Sequence, residues 1–239
     1  MVSIEIDRAN KYDIVYEDNY LIAVCKPAGI FVHRSVLDPT ADIFMLQEIR
    51  NMIGSRVYPV HRLDRKTSGV LLMAKSKEVQ SKMNELFKER KVNKKYLAIV
   101  RGYSPDSVII DYPLKTNKGK IQDAITQFIT LQRVEIPEAL GKFPTSRYSF
   151  VEVYPETGRM HQIRKHLSHI FHPIIGDRPH GCNKQNRFFL TRFNLSDMML
   201  HASELNFIHP IFGQEVTLIT PFKDEFARIF RELGFENPK

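Results

Sequence analysis

The chain has 239 residues, 43% of them hydrophobic, and a formal net charge of +8. That is enough for one sizeable core, but no stretch approaches the ~20 apolar residues of a membrane helix, and the opening MVSIEIDRANKYD lacks the apolar segment of a signal peptide. Two cysteines, Cys25 and Cys182, argue against a disulfide framework or a zinc site and suit a reduced, cytoplasmic protein, while the positive charge points to polyanionic partners such as nucleic acid or an acidic membrane surface.

DIVYEDNYLIAVCKP (13–27) predicts two strands around a turn at Glu17, Asp18 and Asn19. Over 42–53, Ile43, Leu46, Ile49 and Ile53 recur at helical intervals. VLLMAKS (70–76) is apolar enough for a buried strand, and Ser76 stands where it can cap a helix whose core face is Val79, Met83, Leu86 and Phe87. KYLAIVRG (95–102), SVIIDYPL (107–114) and DAITQFITLQRV (123–134) read as strands, and 135–146, with Pro137, Gly141 and Pro144, as a loop. RYSFVEVYPET (147–157) is a strand. The helix after it turns Met160, Ile163, Leu167 and Ile170 inward and ends at His172-Pro173, since a residue before proline disfavours helix. LHASELNFIHP and QEVTLIT form a hairpin around Gly213. Thr220-Pro221 opens a last helix with Phe222, Phe226, Ile229 and Leu233 on one face and Gly234 closing it. Strands outnumber helices and mostly follow one another without crossovers. That pattern predicts an α+β fold, a mixed, mainly antiparallel β-sheet with flanking helices, in a single domain spanning 1–239.

Cations concentrate at KERKVNKK (88–95), KTNKGK (115–120) and GRMHQIRKH (158–166). HRLDRKTSG (61–69) sets one acid, Asp64, between Arg62 and Arg65. Two readings are open from the residues alone. An aspartate before Thr-Ser-Gly caps a turn; a carboxylate among guanidinium groups, ionised and poorly solvated, attacks an electrophilic carbon. Arg164 is the candidate partner. His161, His166, His169 and His172 crowd one helix and its end, where residues three or four apart share a face. No carboxylate or thiolate in that segment completes a metal set, so they read as solvent- or phosphate-facing. Tyr96, after Lys94 and Lys95, either stacks on a base or anchors in the core. A Gly-rich phosphate loop, a Ser-His-Asp array and HEXXH are all missing, which leaves NTP hydrolysis and zinc peptidase chemistry without support.

Four ordered segments, KPAGIFVH (26–33), HRLDRKTSG, KKYLAIVRG (94–102) and TGRMHQIRKHLSHIFHPIIGD (157–177), settle the choice. With them the chain resembles, from Asp13 to Gly234, the RluA-type pseudouridine synthases of large-subunit rRNA and tRNA. The resemblance implies the pseudouridine synthase fold with a central RNA-binding cleft, an isomerase that needs no cofactor and no metal, and a monomer. It implies that Asp64 is the catalytic aspartate, acting at C1′ directly or through a glycal. Tyr96 is implied to stack on the uracil, and Arg164 to hold Asp64 through a bidentate pair. RNA contacts are implied at Arg62, which helps displace the base, and at Arg65, Lys94, Lys95, Arg159, His161 and Lys165. VHRSVLD (32–38), FPTSRYSFVEV (143–153) and the HG…QNR pattern at 180–187 resemble the tRNA synthase C branch and imply uridine 65 of tRNA as the target. Two features depart from that pattern: a short loop near 115–122, and little chain after the last helix; the chain is also expected to begin directly at the catalytic region, with no separate N-terminal RNA-binding domain. The alternatives are the same chemistry on 23S rRNA, a non-catalytic RNA-binding protein, or an N-glycoside hydrolase, for which Asp64 has no evident acidic partner.

Overall fold

LIAVCK and SGVLLMA are apolar at nearly every position rather than at alternate ones, as strands covered on both faces are. The computed structural model describes residues 12–33 and 42–236. In chain order its elements are β1 (Ile14–Glu17), β2 (Leu21–Lys26), α1 (Met45–Ile53), β3 (Tyr58–Pro59), β4 (Ser68–Ala74), α2 (Lys77–Lys88), β5 (Val92–Arg101), β6 (Ser107–Asp111), β7 (Leu114–Lys115) and β8 (Ile121–Gln122). There follow β9 (Ile125–Ile136), β10 (Ser146–Pro155), α3 (Gln162–His169), α4 (Asn183–Phe193), β11 (Leu200–Ile208), β12 (Glu215–Ile219) and α5 (Asp224–Glu232). Among the described residues ten strands make one sheet, in the order β1-β2-β4-β11-β5-β10-β9-β6, with β12 beside β11 and β3 beside β4. Neighbours are antiparallel except β4 and β11, which run parallel with His201 opposite Ser68 and Ala202 opposite Gly69. The sheet is thus mixed and mainly antiparallel, as the order of strands predicts.

The continuous apolar runs serve two cores at once. Leu21, Ala23, Val70, Leu72 and Ala74 pack with Val79 and Met83 of α2 on one face. Ile22, Val24, Leu71 and Met73 pack with Met45 and Ile49 of α1 on the other. A side-chain period of two distributes one strand between both layers. Burying a side chain such as Met83 contributes roughly 1.5–3 kcal/mol, and Ser76 fixes the start of α2 by accepting the Val79 N–H at 3.2 Å. The largest core lies under β5, β9 and β10, where α3, α4 and α5 supply Ile163, Leu167, Phe189, Phe226 and Phe230.

Several boundaries differ from the sequence reading. α1 starts at Met45, so Met45 and Ile49 face the core and Ile43 is 48% exposed. Met160 precedes α3 and is 46% exposed, and α3 stops at His169 because Phe171 takes a left-handed turn (φ 66°) before Pro173. α5 begins at Asp224, beyond Pro221 and Phe222. SVIIDYPL breaks at Pro113, which has no N–H for a ladder, and the short loop expected near 115–122 is the β7–β8 hairpin. Apolar periodicity predicts no helix at α4. Its buried stripe is Gln185, Phe189 and Phe193, and the polar first member masks the apolar spacing. Residues 34–38 of VHRSVLD lie outside the described residues. No helix among the described residues is long and apolar enough to cross a membrane.

Gly69 lets β4 and β11 meet. Its φ is +110°, and a Cβ there would lie 2.1 Å from the Ala202 carbonyl oxygen. Gly69→Ala should therefore destabilise the fold by about 3 kcal/mol or more, measured by urea unfolding. Gly213→Ala, with φ +69° but open space around it, should cost only about 1–2 kcal/mol.

Candidate active site

The segment from His61 to Thr67 leads into β4. Its turn is closed by the backbone, with Thr67 N–H donating to Asp64 C=O at 3.1 Å. A second clasp holds it from behind. Lys26 is fully buried, and its Nζ donates to the carbonyls of Pro27 (2.8 Å), Ile30 (2.9 Å) and Arg65 (3.0 Å). Three carbonyls match the three donors of an ammonium. Burial pulls its pKa down to about 7, opposed by the Asp64 and Asp197 carboxylates. Gly29 N–H donates to Arg65 C=O and Arg65 Nε to Gly29 C=O, each at 2.9 Å, so the KPAG turn and the Asp64 segment move as one piece.

Arg164 arrives from α3. Gln162 docks that helix: its Nε2 donates to the Ile125 carbonyl and to Thr126 Oγ1, both at 2.9 Å, and its Oε1 accepts from Thr157 Oγ1 at 2.6 Å and Arg159 N–H at 3.0 Å. Ile163 and Leu167 fill the core beside it. Arg164 is thereby turned toward Asp64, its Nη1 donating to Asp64 Oδ2 at 2.7 Å.

The expected bidentate pair lies elsewhere. Nε and Nη2 of Arg164 donate to Oδ2 and Oδ1 of Asp177, at 2.9 and 2.7 Å. Asp64 takes a single bond. The reason is steric: the fork edge of the guanidinium points into the protein, where Asp177 is 1% exposed, and only Nη1 reaches the cleft. Burial works against the guanidinium's charge, but the bonds to Asp177 and Asp64 outweigh it and raise the Arg164 pKa. Asp177 is placed by Gly176, where a Cβ would fall 2.0 Å from the Asp197 carbonyl oxygen. Asn186 then pins the turn, accepting from Gly176 N–H at 3.0 Å and donating to Asp177 C=O at 2.7 Å.

Asp64, with 23% of its side chain exposed, opens onto a cavity of ≈ 290 Å³. That is near the lower end of small-ligand pockets, ~300 Å³. Arg62, Arg65, Lys66, Arg178 and His161 line it with Asp64, Arg164 and Asp177, so cations dominate the wall. Arg62 and Arg178 are exposed at its edge. Arg65 lies over the Phe31 ring, 5.0 Å from its centroid. His161 Nε2 is 3.8 Å from Asp64 Oδ2. Tyr96, on β5, packs against two of the cores and is not among the residues that line the cavity; burial first, and then the Asp64 charge, raise its pKa, so it is a neutral phenol near pH 7.

Other expected contacts do not converge on the cavity. Lys94 and Lys95 are consecutive in a strand and face opposite ways. Lys95 pairs with Glu204 at 2.8 Å and Glu152 at 3.9 Å on the far face. Lys94 donates to the Thr157 carbonyl at 3.3 Å, and burial, with Arg90 adding to it, pushes it down to about 8. Arg159 Nε donates to the Asp123 carbonyl at 3.0 Å, and Lys165 Nζ to the Lys115 carbonyl at 3.4 Å, beside the β7–β8 hairpin. Of the histidines expected to face solvent or phosphate, His166 is fully buried and bonded to the Tyr112 carbonyl, His169 stacks on Tyr112, and His172 bonds the Arg101 carbonyl. Sequence reasoning missed Lys26, Asp177 and His180 as site residues. Lys26 and Asp177 stood in plain view at the edges of the first and third motifs, and a buried charge needs a partner.

A family model described as RNA pseudouridylate synthase matches residues 20–169, a span that holds Asp64, Tyr96 and Arg164 but stops short of Asp177. The chain is 44% identical over 235 residues to the tRNA pseudouridine synthase C of Vibrio parahaemolyticus, covering 94% of this chain and 96% of that protein. It is 44% identical over 236 residues to that of Haemophilus influenzae, covering 94% and 99%. The Pasteurella multocida protein of the same name is 48% identical over 217 residues, covering 86% and 89%. Among solved structures, Human RNA Pseudouridylate Synthase Domain Containing 4 superposes with a TM-score of 0.73 at 25% identity, over 95% of both chains. Human RNA Pseudouridylate Synthase Domain Containing 1 gives 0.71 at 25% identity, over 92% of this chain and 86% of that one.

The two carboxylates on Arg164 should differ in what their loss does. Asp177→Asn leaves a buried guanidinium without its main counter-charge and should cost about 3–5 kcal/mol. Asp64→Asn leaves the Arg164–Asp177 pair whole and should change stability by less than about 1 kcal/mol. Urea unfolding of both variants checks the contrast; equal losses would show that Asp177 is not the main partner.

Proposed function

The chain belongs to the RNA pseudouridylate synthase family, and from that premise we propose that its substrate is tRNA, at uridine 65, with Asp64 as the reacting carboxylate. The observation that carries the assignment of Asp64 is its single bond to Arg164, at 2.7 Å, in a cavity whose other charged wall residues, Asp177 apart, are cations. The shared name of the relatives above supports tRNA as the substrate. The charge of +8 fits a phosphate backbone, and a tRNA-modifying enzyme works in the cytoplasm.

The isomerisation breaks the N1–C1′ bond of uridine, turns the detached uracil and joins its C5 to C1′; the C5 proton is lost and N1 regains one, so the composition is unchanged. In a stem the uridine must first leave the stack, at a cost of a few kcal/mol. Arg62 and Arg178 sit at the cavity edge where flanking phosphates would lie, and Arg62 takes part in displacing the base. Asp64 meets the sugar at C1′. Arg164 keeps the carboxylate aimed through one bond, so its other oxygen is available to carbon. Tyr96, a phenol at neutral pH, presents its ring to the uracil, where stacking contributes roughly 1–3 kcal/mol.

Release of tritium from C5 of uridine in a tRNA transcript measures the reaction. Asp64→Asn should abolish release while leaving tRNA binding within about threefold; retained turnover would remove Asp64 from the mechanism, and free uracil as product would indicate glycoside hydrolysis. Tyr96→Phe should keep far more activity than Tyr96→Ala, and equal losses would show that stacking is not the main contribution. Arg164→Lys cannot serve both carboxylates and should lower kcat at least about 100-fold. Mapping pseudouridine in RNA from a deletion strain, with and without the gene restored, separates tRNA position 65 from a 23S rRNA target.

A further inference from the structure

The HG…QNR pattern is not used by the mechanism above, yet it directly follows Arg178 and Pro179 of the cavity wall, and His180 reaches the lining residue His161. Gln185 accepts the Tyr148 hydroxyl at 2.8 Å and Asn186 pins the Asp177 turn, so the loop between Gly176 and α4 is held at both ends. From that loop His180 places its Nε2 2.9 Å from Nδ1 of His161, and its own backbone N–H donates to Asp177 Oδ1 at 3.3 Å. A hydrogen bond between two imidazole nitrogens uses one hydrogen, so exactly which ring carries it decides what His161 offers on its other nitrogen. That other nitrogen, Nε2, looks at Asp64 Oδ2 from 3.8 Å.

We propose that His180 is a positioning residue for the reaction: it donates its Nε2–H to His161 Nδ1 and so holds the Nε2–H of His161 toward Asp64 and the bound uracil. The opposite arrangement, His161 donating from Nδ1, would turn a nitrogen lone pair toward a carboxylate and is electrostatically disfavoured. Burial lowers the pKa of both rings, so at neutral pH they form a neutral pair that shares one hydrogen. The charges around the pair are Asp64, Arg164, Asp177 and Lys165. When the N1–C1′ bond breaks, its electron pair stays with the uracil, and an N–H beside Asp64 stabilises that charge without giving up its proton. The inference rests on Asp64 being the reacting carboxylate, but it makes one claim that holds without any turnover.

That claim is the tautomer. Long-range 1H–15N correlation spectra of histidine-labelled protein at pH 7.5, with His161 assigned from a His161→Asn variant, should show His161 protonated on Nε2 and bare on Nδ1. His180→Phe keeps a ring but removes the donor. It should shift His161 toward the other tautomer and lower kcat on a tRNA transcript by about ten- to a hundredfold, with KM nearly unchanged. His180→Gln, whose amide can donate to Nδ1, should recover the Nε2–H signal and most of kcat. His161 found protonated on Nδ1 in the unaltered protein overturns the proposal whatever the kinetics. So does a His180→Phe variant with unaltered kcat, or a folded His180→Gln variant no better than His180→Phe. Should Asp64→Asn retain turnover, the reading of Asp64 fails, while the tautomer measurement still stands or falls separately.

Discussion

A guanidinium buried to the extent of Arg164 has to be met by negative charge, and this chain meets it twice. Asp177 takes the two-point edge in the interior, and Asp64 takes the single remaining N–H at the cavity. The division separates two tasks that one carboxylate would perform badly together. Asp177 is the counter-ion that makes the burial tolerable. Asp64 receives a direction without being the group on which the arginine's neutralisation depends. If it loses its charge by bonding to carbon, Arg164 remains paired. In the proposed reaction Asp64 changes state during turnover, and with Asp177 in place the interior need not rearrange when that happens.

The surrounding polar groups repeat the theme of fixing a segment through hydrogen bonds made at or below the surface. Lys26 ties the KPAG turn to the carbonyl of Arg65, Gln162 ties α3 to β9, and Asn186 ties the Asp177 turn to α4. None of the three touches the cavity's contents in the proposed mechanism. Each converts a loop, which would otherwise sample many conformations, into part of the sheet's rigid frame. The cavity's cations, by contrast, are largely at its edge, where mobility suits contacts to phosphates that carry position rather than identity.

Much of this was legible in the residues, and where it was not the reasons are specific. β2 and β4 announce themselves because both faces of the sheet are covered there, and Ser76 marks the start of α2. α4 escaped because Gln185 occupies the first place in its buried stripe; a polar side chain satisfied by Tyr148 looks, in one dimension, like a surface residue. Asp64, Tyr96 and Arg164 could be singled out from motifs. The bidentate partner of Arg164 could not, since Asp64 and Asp177 are equally good forks on paper and only the direction of the guanidinium edge chooses between them. The division of Lys94 from Lys95 was available in advance. Adjacent residues in a strand point to opposite faces, and the lysine cluster should have been split on that ground alone.

The parallel pairing of β4 with β11 has a consequence for the order in which the protein comes into being. Asp64 lies in the first third of the chain, yet the strand it leads into is braced at Gly69 by Ala202. Its arginine comes from α3 and that arginine's counter-ion from the turn after it. Contacts of such long sequence separation close late, and synthesis delivers the N-terminal part first. A growing polypeptide therefore carries Asp64 and Gly69 unbraced until β11 has emerged, so the site proposed above cannot be assembled on a nascent fragment that stops short of Ala202.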